Sequence, residues 1–167
     1  MRGFALPKAR LFSPSEVWRG GLLELRRRGS GRRESGAFLL GTIEQGRRQI
    51  SRFVYYDDLD PRSLDSGIVR LSGEAFPLVW ELCARDRLTV VADVHTHPGT
   101  GFPRQSHSDR TNPMIGQKGH IALIVPNFAL SHVNANQIAI DEYQGAHCWF
   151  HHGGMKGCSF FHIGFWG

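Results

Sequence analysis

The segment that most constrains this chain is a run of apolar residues ending in a fixed set of polar ones. Leu88 to Val94 reads as a buried strand, and it runs directly into His95-Thr96-His97-Pro98. After seven intervening residues comes Ser106-His107-Ser108-Asp109. In a strand, residues i and i+2 point to one face, so His95 and His97 can present two imidazoles to one point. Pro98 keeps His97 extended and ends the strand. The intervening loop returns the chain so that Asp109, on a following short helix, can add a carboxylate. Two neutral imidazoles and one carboxylate leave a fourth corner for water, the open arrangement of a catalytic zinc site. Ser106-x-x-Asp109 is also a capping box, and the two readings of Ser106 are compatible.

The rest of the chain reads as a frame for that segment. Ser13-Pro14-Ser15-Glu16 is a helix start with a serine cap. Val17, Trp18, Leu22, Leu23 and Leu25 continue it as an apolar stripe, and Arg26-Arg27-Arg28-Gly29 is the stop. Residues 36–43 and 49–56 read as strands joined by a turn at Glu44-Gln45-Gly46-Arg47. Residues 57–73 form a polar loop. Phe76, Val79, Trp80 and Cys83 mark a second amphipathic helix, with Pro77 in its first turn. A short helix near 108–112, a strand at 121–125 and a hairpin over 137–151 follow. The mixture lacks regular alternation, so the expected class is α+β, or α/β with a mixed sheet. One domain over 1–167 is expected, since 167 residues is one domain's worth of chain.

Composition narrows the class of protein. No stretch approaches ~18 uninterrupted apolar residues, which excludes a transmembrane helix by this measure. Cys83, Cys148 and Cys158 are too few and too scattered for a disulfide framework. A cytoplasmic protein with reduced thiols and no membrane partner is expected. Residues 1–52 carry 12 of the 20 basic residues but 4 of the 15 acidic ones. Such a front half could bind nucleic acid or an acidic protein. Without interleaved aromatics, the charge run is read instead as a solvated helix face. His147, Cys148, His151, His152, Cys158 and His162 invite a second metal site, but their spacing fits no standard finger. An aromatic tail, packed or partner-binding, is the expectation for residues 144–167.

At His95-Thr96-His97-Pro98 and Ser106-x-x-Asp109 the sequence resembles the JAMM, or MPN-plus, family of zinc metalloproteases, also called JAB domains. The resemblance covers residues 15–143. It implies a cytidine-deaminase-like architecture, with a mixed sheet flanked by helices. It implies one catalytic Zn²⁺ with bound water, held by His95, His97 and Asp109. The family's upstream acid precedes an apolar strand closed by glycine; Glu34-Ser35-Gly36-Ala37-Phe38-Leu39-Leu40-Gly41 fits, so Glu34 is the general acid–base candidate and Glu44 its competitor. Ser106 would hydrogen-bond the developing oxyanion. Strand parity adds Asp93, two residues before His95, as a carboxylate that could orient a metal-binding histidine.

The implied reaction is hydrolysis of a peptide or isopeptide amide at the C-terminus of a ubiquitin-like protein. Residues 33–41, 92–99 and 110–128 look similar to the JAB peptidases of bacterial ubiquitin-like (Bil-type) conjugation operons. That resemblance implies E1-like and E2-like partners and an antiviral setting. Two alternatives stay open. One is a JAMM hydrolase of a sulfur-carrier-protein adduct or small amide. The other is a non-catalytic basic binding module, disfavoured because every metal ligand is kept.

Overall fold

The structure is a computed structural model, and it describes residues 9–154 and 159–165. Among these residues the chain is mixed α+β: an eight-stranded sheet with helices on both faces. In chain order the elements are β1 (Leu11–Pro14), α1 (Ser15–Gly29), β2 (Gly36–Glu44), β3 (Arg47–Tyr55), α2 (Tyr56–Leu59) and α3 (Ala75–Asp86). There follow β4 (Thr89–Thr96), α4 (His107–Thr111), β5 (Ile121–Val125), β6 (Ala139–Gly145), β7 (Cys148–His151) and β8 (Phe161–Gly164). Strand order is β7-β6-β5-β4-β2-β3-β1-β8. The β4–β5, β1–β3 and β1–β8 pairs are parallel, and the other pairs are antiparallel.

Period-two alternation sorts the central strands between two cores. Leu39 of β2 and Ala92 and Val94 of β4 pack with Trp18, Leu22 and Leu25 of α1. Phe38 and Leu40 pack with Val79 and Cys83 of α3. Asp93 pairs in register with Phe38, and His95 with Gly36, which places both polar residues on the α3 side.

The elements form for the reasons read from sequence, with four differences. Helix α1 begins without a serine cap: Pro14 is its N-cap residue and makes no side-chain bond, while Ser13 Oγ donates to the Pro14 carbonyl. The helix runs through Gly29, and Ser30 takes the left-handed conformation that ends it. In α3, Pro77 lies in the first turn as expected, but Trp80 is 46% exposed; Phe76, Val79 and Cys83 make the inward stripe. The loop after β3 opens with the short helix α2. The β2–β3 turn is the two-residue kind, with Gln45 and Gly46 both at positive φ.

The fourth difference is the sheet's width. Segments outside residues 15–143 build its edges: β1 and β8 at one side and β7 at the other. Phe161 packs edge-on against Trp18 with ring centroids 5.0 Å apart, and Phe160 and Phe161 are both buried. Part of the aromatic tail is therefore core, although Phe150 and Phe165 are exposed. Cys158 and Trp166 lie outside the described residues. None of the described helices is long and apolar enough to cross a membrane.

Candidate metal centre

At the end of β4 the parity argument holds in three dimensions. His95 Nε2 and His97 Nε2 stand 3.0 Å apart. Asp109 approaches from α4, with Oδ1 3.6 Å from His95 Nε2 and Oδ2 3.2 Å from His97 Nε2. Ligand atoms held at 2.0–2.2 Å around a tetrahedral ion are separated by roughly 3.3 Å. Taking one ligand atom from each residue, the three atoms all lie within 4.8 Å of one another, close enough for these residues to hold one metal ion. They are the one such group of three or more among the described residues.

Backbone pairing fixes the two histidines. His95 sits within the β4–β5 ladder opposite Ile124, and the His97 amide donates to the Val125 carbonyl at 2.9 Å. The His97 carbonyl accepts from the Phe128 amide at 3.0 Å. Phe128 belongs to a turn, Asn127–Ala129, whose three residues all have positive φ. Three consecutive non-glycine residues in that region are strained.

Asp109 is fixed by the capping box. Ser106 N donates to Asp109 Oδ2 at 2.7 Å, and Asp109 N donates to Ser106 Oγ at 3.1 Å. The Ser106 hydroxyl proton is left free to donate elsewhere. The indole of Trp149, on β7, donates to the Arg110 carbonyl at 3.1 Å and ties α4 to the sheet edge. Burial opposes charge on Asp109, but hydrogen bonds from His95 and His97 outweigh it and hold the carboxyl far below the usual range. Burial likewise opposes charge on His95, and the facing Asp109 carboxylate overcomes it, raising that imidazole's pKa.

Of the two candidate acids, Glu34 lies beside the triad and Glu44 does not. Glu34 Oε1 lies 3.8 Å from His97 Nε2. Glu44 is at the far end of β2, eight residues beyond the Gly36–His95 pair, or about 26 Å along the strand. Glu34 is held by the loop after α2: its amide donates to the Gly67 carbonyl at 2.9 Å, and Oε2 accepts from the Val69 amide at 3.1 Å. Its neighbour Ser35 is locked to Thr96, the residue between the two histidines. Ser35 N donates to Thr96 Oγ1 at 3.0 Å, and Thr96 N donates to Ser35 O at 2.9 Å. Sequence reasoning missed Ser35, Thr96, Gly67 and Val69. Thr96, as the hydroxyl between the histidines, was the one available signal.

Asp93 corrects an expectation. It faces the α3 side, but its oxygens are used by other groups: Tyr56 OH donates to Oδ2 at 3.2 Å and His120 Nε2 to Oδ1 at 2.6 Å. The histidine that Asp93 orients is therefore His120, not a metal-facing one. All three are buried. In the tail, His151 pairs with Asp141, and His152 with Glu142 at 2.9 Å. Asp93, His95, Asp109 and Trp149 border a cavity of about 30 Å³, room for about one water. Gln105 borders it too and also lines a neighbouring cavity of about 380 Å³; its Oε1 is buried and receives no donor among the described residues.

No family model matches the chain. Among solved structures, it is similar to the solution structure of protein DSY2949 from Desulfitobacterium hafniense. That similarity has a TM-score of 0.62 at 14% sequence identity, covering 87% of this chain and 91% of that one. At that identity the match speaks to the fold.

Proposed function

We propose that this chain is a zinc-dependent peptidase of JAMM type, with the MPN-like, cytidine-deaminase-like architecture that the family implies. Its substrate is the amide bond at the C-terminus of a ubiquitin-like protein, in precursor processing and in deconjugation. The carrying observation is the convergence of His95, His97 and Asp109, with Glu34 beside them. The donor set of two imidazoles and one carboxylate, with a vacant corner, is that of hydrolytic zinc.

Zinc held there would supply Lewis acidity and a water that ionises near neutral pH. Glu34 takes a proton from the attacking water and passes it to the leaving nitrogen. The Val69 amide holds that carboxylate, and the bonds to Gly67 and Thr96 hold the Glu34–Ser35 backbone. Ser106 keeps Asp109 turned toward the histidines, and its free hydroxyl proton is available to the developing oxyanion. No cysteine takes part.

The proposed setting is a bacterial conjugation system with E1-like and E2-like partners. The test is incubation with a ubiquitin-like protein encoded by a neighbouring gene and carrying a C-terminal extension. Mass spectrometry should show release of the extension, stopped by a chelator and restored by zinc. An intact substrate under all three conditions would refute the proposal.

A further inference from the structure

Glu34 is held by a loop whose own shape depends on one carboxylate. The loop runs from Asp60, which ends α2, to Ser72, shortly before α3. Two of its backbone groups meet Glu34. The Gly67 carbonyl accepts from the Glu34 amide at 2.9 Å, and the Val69 amide donates to Glu34 Oε2 at 3.1 Å. Within the loop Ser63 and Leu64 are buried, but Gly67 and Val69 are only partly so, and most of the other residues are exposed. A segment with so little buried surface keeps one shape only when it is tied across itself.

Two ties flank Val69. The Arg70 amide donates to the Ser63 carbonyl at 2.8 Å. Beyond it, Asp60 closes the loop: its Oδ2 accepts from the Ser72 amide at 3.0 Å, twelve residues on. Asp60 Oδ1 accepts from the Arg62 amide at 3.1 Å, which is an ordinary Asx turn and serves only the loop's start. The bond to Ser72 is not local. The Asp60 amide also donates to the Tyr56 carbonyl at 2.8 Å, and its carbonyl accepts from the Ser63 amide at 2.9 Å. One residue thus gathers the end of α2, the start of the loop and its return. The Ser72 and Arg62 amides hold the Asp60 carboxyl below the usual carboxylate range, so both bonds are charge-assisted at neutral pH.

We propose that Asp60 is a positioning residue for Glu34: by closing the loop it fixes the Val69 amide, and through that amide the direction of the Glu34 carboxylate. The proposal rests on the reading of Glu34 as the proton carrier and adds the residue that aims it. Among the described residues, Asp60 bonds neither Glu34 nor a metal-facing side chain, so it acts through the loop. Misplacing a reacting group by about 1 Å is enough to slow a reaction about 100-fold. The two histidines and Asp109 are held instead by β4, β5 and the capping box.

The test pairs amide hydrogen exchange of the full chain, read by NMR, with hydrolysis kinetics. In Asp60→Ala the Val69 amide should exchange at least ~10-fold faster while the amides of β4 keep their wild-type rates; a general loss of stability would quicken both. Zinc content should be unchanged, and kcat should fall about 10-fold with KM unaltered. In a Glu34→Gln background, Asp60→Ala should cost almost nothing more, because the group it positions is already gone. An unmoved Val69 amide, β4 amides that quicken with it, an unchanged kcat, or a full ~10-fold loss on top of Glu34→Gln overturns the proposal. If the wild type hydrolyses nothing, the peptidase reading fails, and the Val69 amide still decides whether Asp60 holds the partner of Glu34.

Discussion

His95 and His97 hold their Nε2 atoms 3.0 Å apart with Asp109 across from both. Two neutral imidazoles cannot both aim lone pairs at that separation without repulsion. A proton or a metal ion must sit between them, and the site is a competition between the two. The raised pKa of His95 stabilises the metal-free fold fully below the ordinary imidazole range, a contribution lost as pH rises through the shifted value. The lowered pKa of Asp109 adds stability above the ordinary carboxylate range, lost as pH falls toward its shifted value. The metal-free pair therefore contributes most between about pH 4 and 6.5. Zinc must displace that proton, so its stabilisation grows with pH. Thermal melts should show a larger zinc-induced rise in Tm at about pH 7.5 than at about pH 5.5. An equal rise at both would contradict the shared-proton picture.

Glu34→Gln removes the proton carrier but no metal ligand. Zinc content should stay at the wild-type level while amide hydrolysis falls at least ~100-fold. Glu44→Gln, at the other end of β2, should leave the rate unchanged. Paired zinc assays and single-turnover kinetics measure both.

Ser106→Ala breaks half of the box that holds Asp109. Loss of the cap should cost about 1 kcal/mol in denaturant unfolding. Zinc affinity should fall by roughly 10-fold, because the ligand's orientation is loosened. Asp109→Ala should lose metal and activity together.

Asp93→Asn tests the buried Tyr56–Asp93–His120 cluster. Burial and the neighbouring Asp93 charge raise the Tyr56 pKa well above its ordinary value, so this phenol stays a donor. Removing the carboxylate should cost about 2 kcal/mol of stability in denaturant unfolding. Zinc stoichiometry should be unchanged, since Asp93 bonds neither metal-facing histidine.

Gly41 sits at the register shift between β2 and β3. A Cβ there would lie 1.7 Å from the Gln49 carbonyl oxygen, which is backbone and has little room to yield. Gly41→Ala should destabilise by about 3 kcal/mol, measured by denaturant unfolding.

The site was legible in sequence because its parts are local. His95 and His97 follow from strand parity, and Ser106 with Asp109 from the capping box. Glu34 came from the resemblance and from its distance to Gly41, a glycine that lies inside β2 rather than at its end; the structure then separated it from Glu44. What was illegible depends on contacts between distant segments. Nothing local says that Gly67 and Val69 hold Glu34, that Ser35 is tied to Thr96, or that Trp149 ties α4 to the sheet edge. Parity gave Asp93 its face but could not say that His120, 27 residues on, would take its carboxylate. The outer strands β1 and β8 are four residues each and carry too little pattern to be read alone.

Metal content decides the central claim. The purified full chain, stripped and then dialysed against zinc, should retain one zinc per chain by elemental analysis. His95→Ala, His97→Ala and Asp109→Ala should each reduce that to near zero while Glu34→Gln retains it. A wild-type chain that keeps no zinc, or triad variants that keep as much as the wild type, would contradict the account.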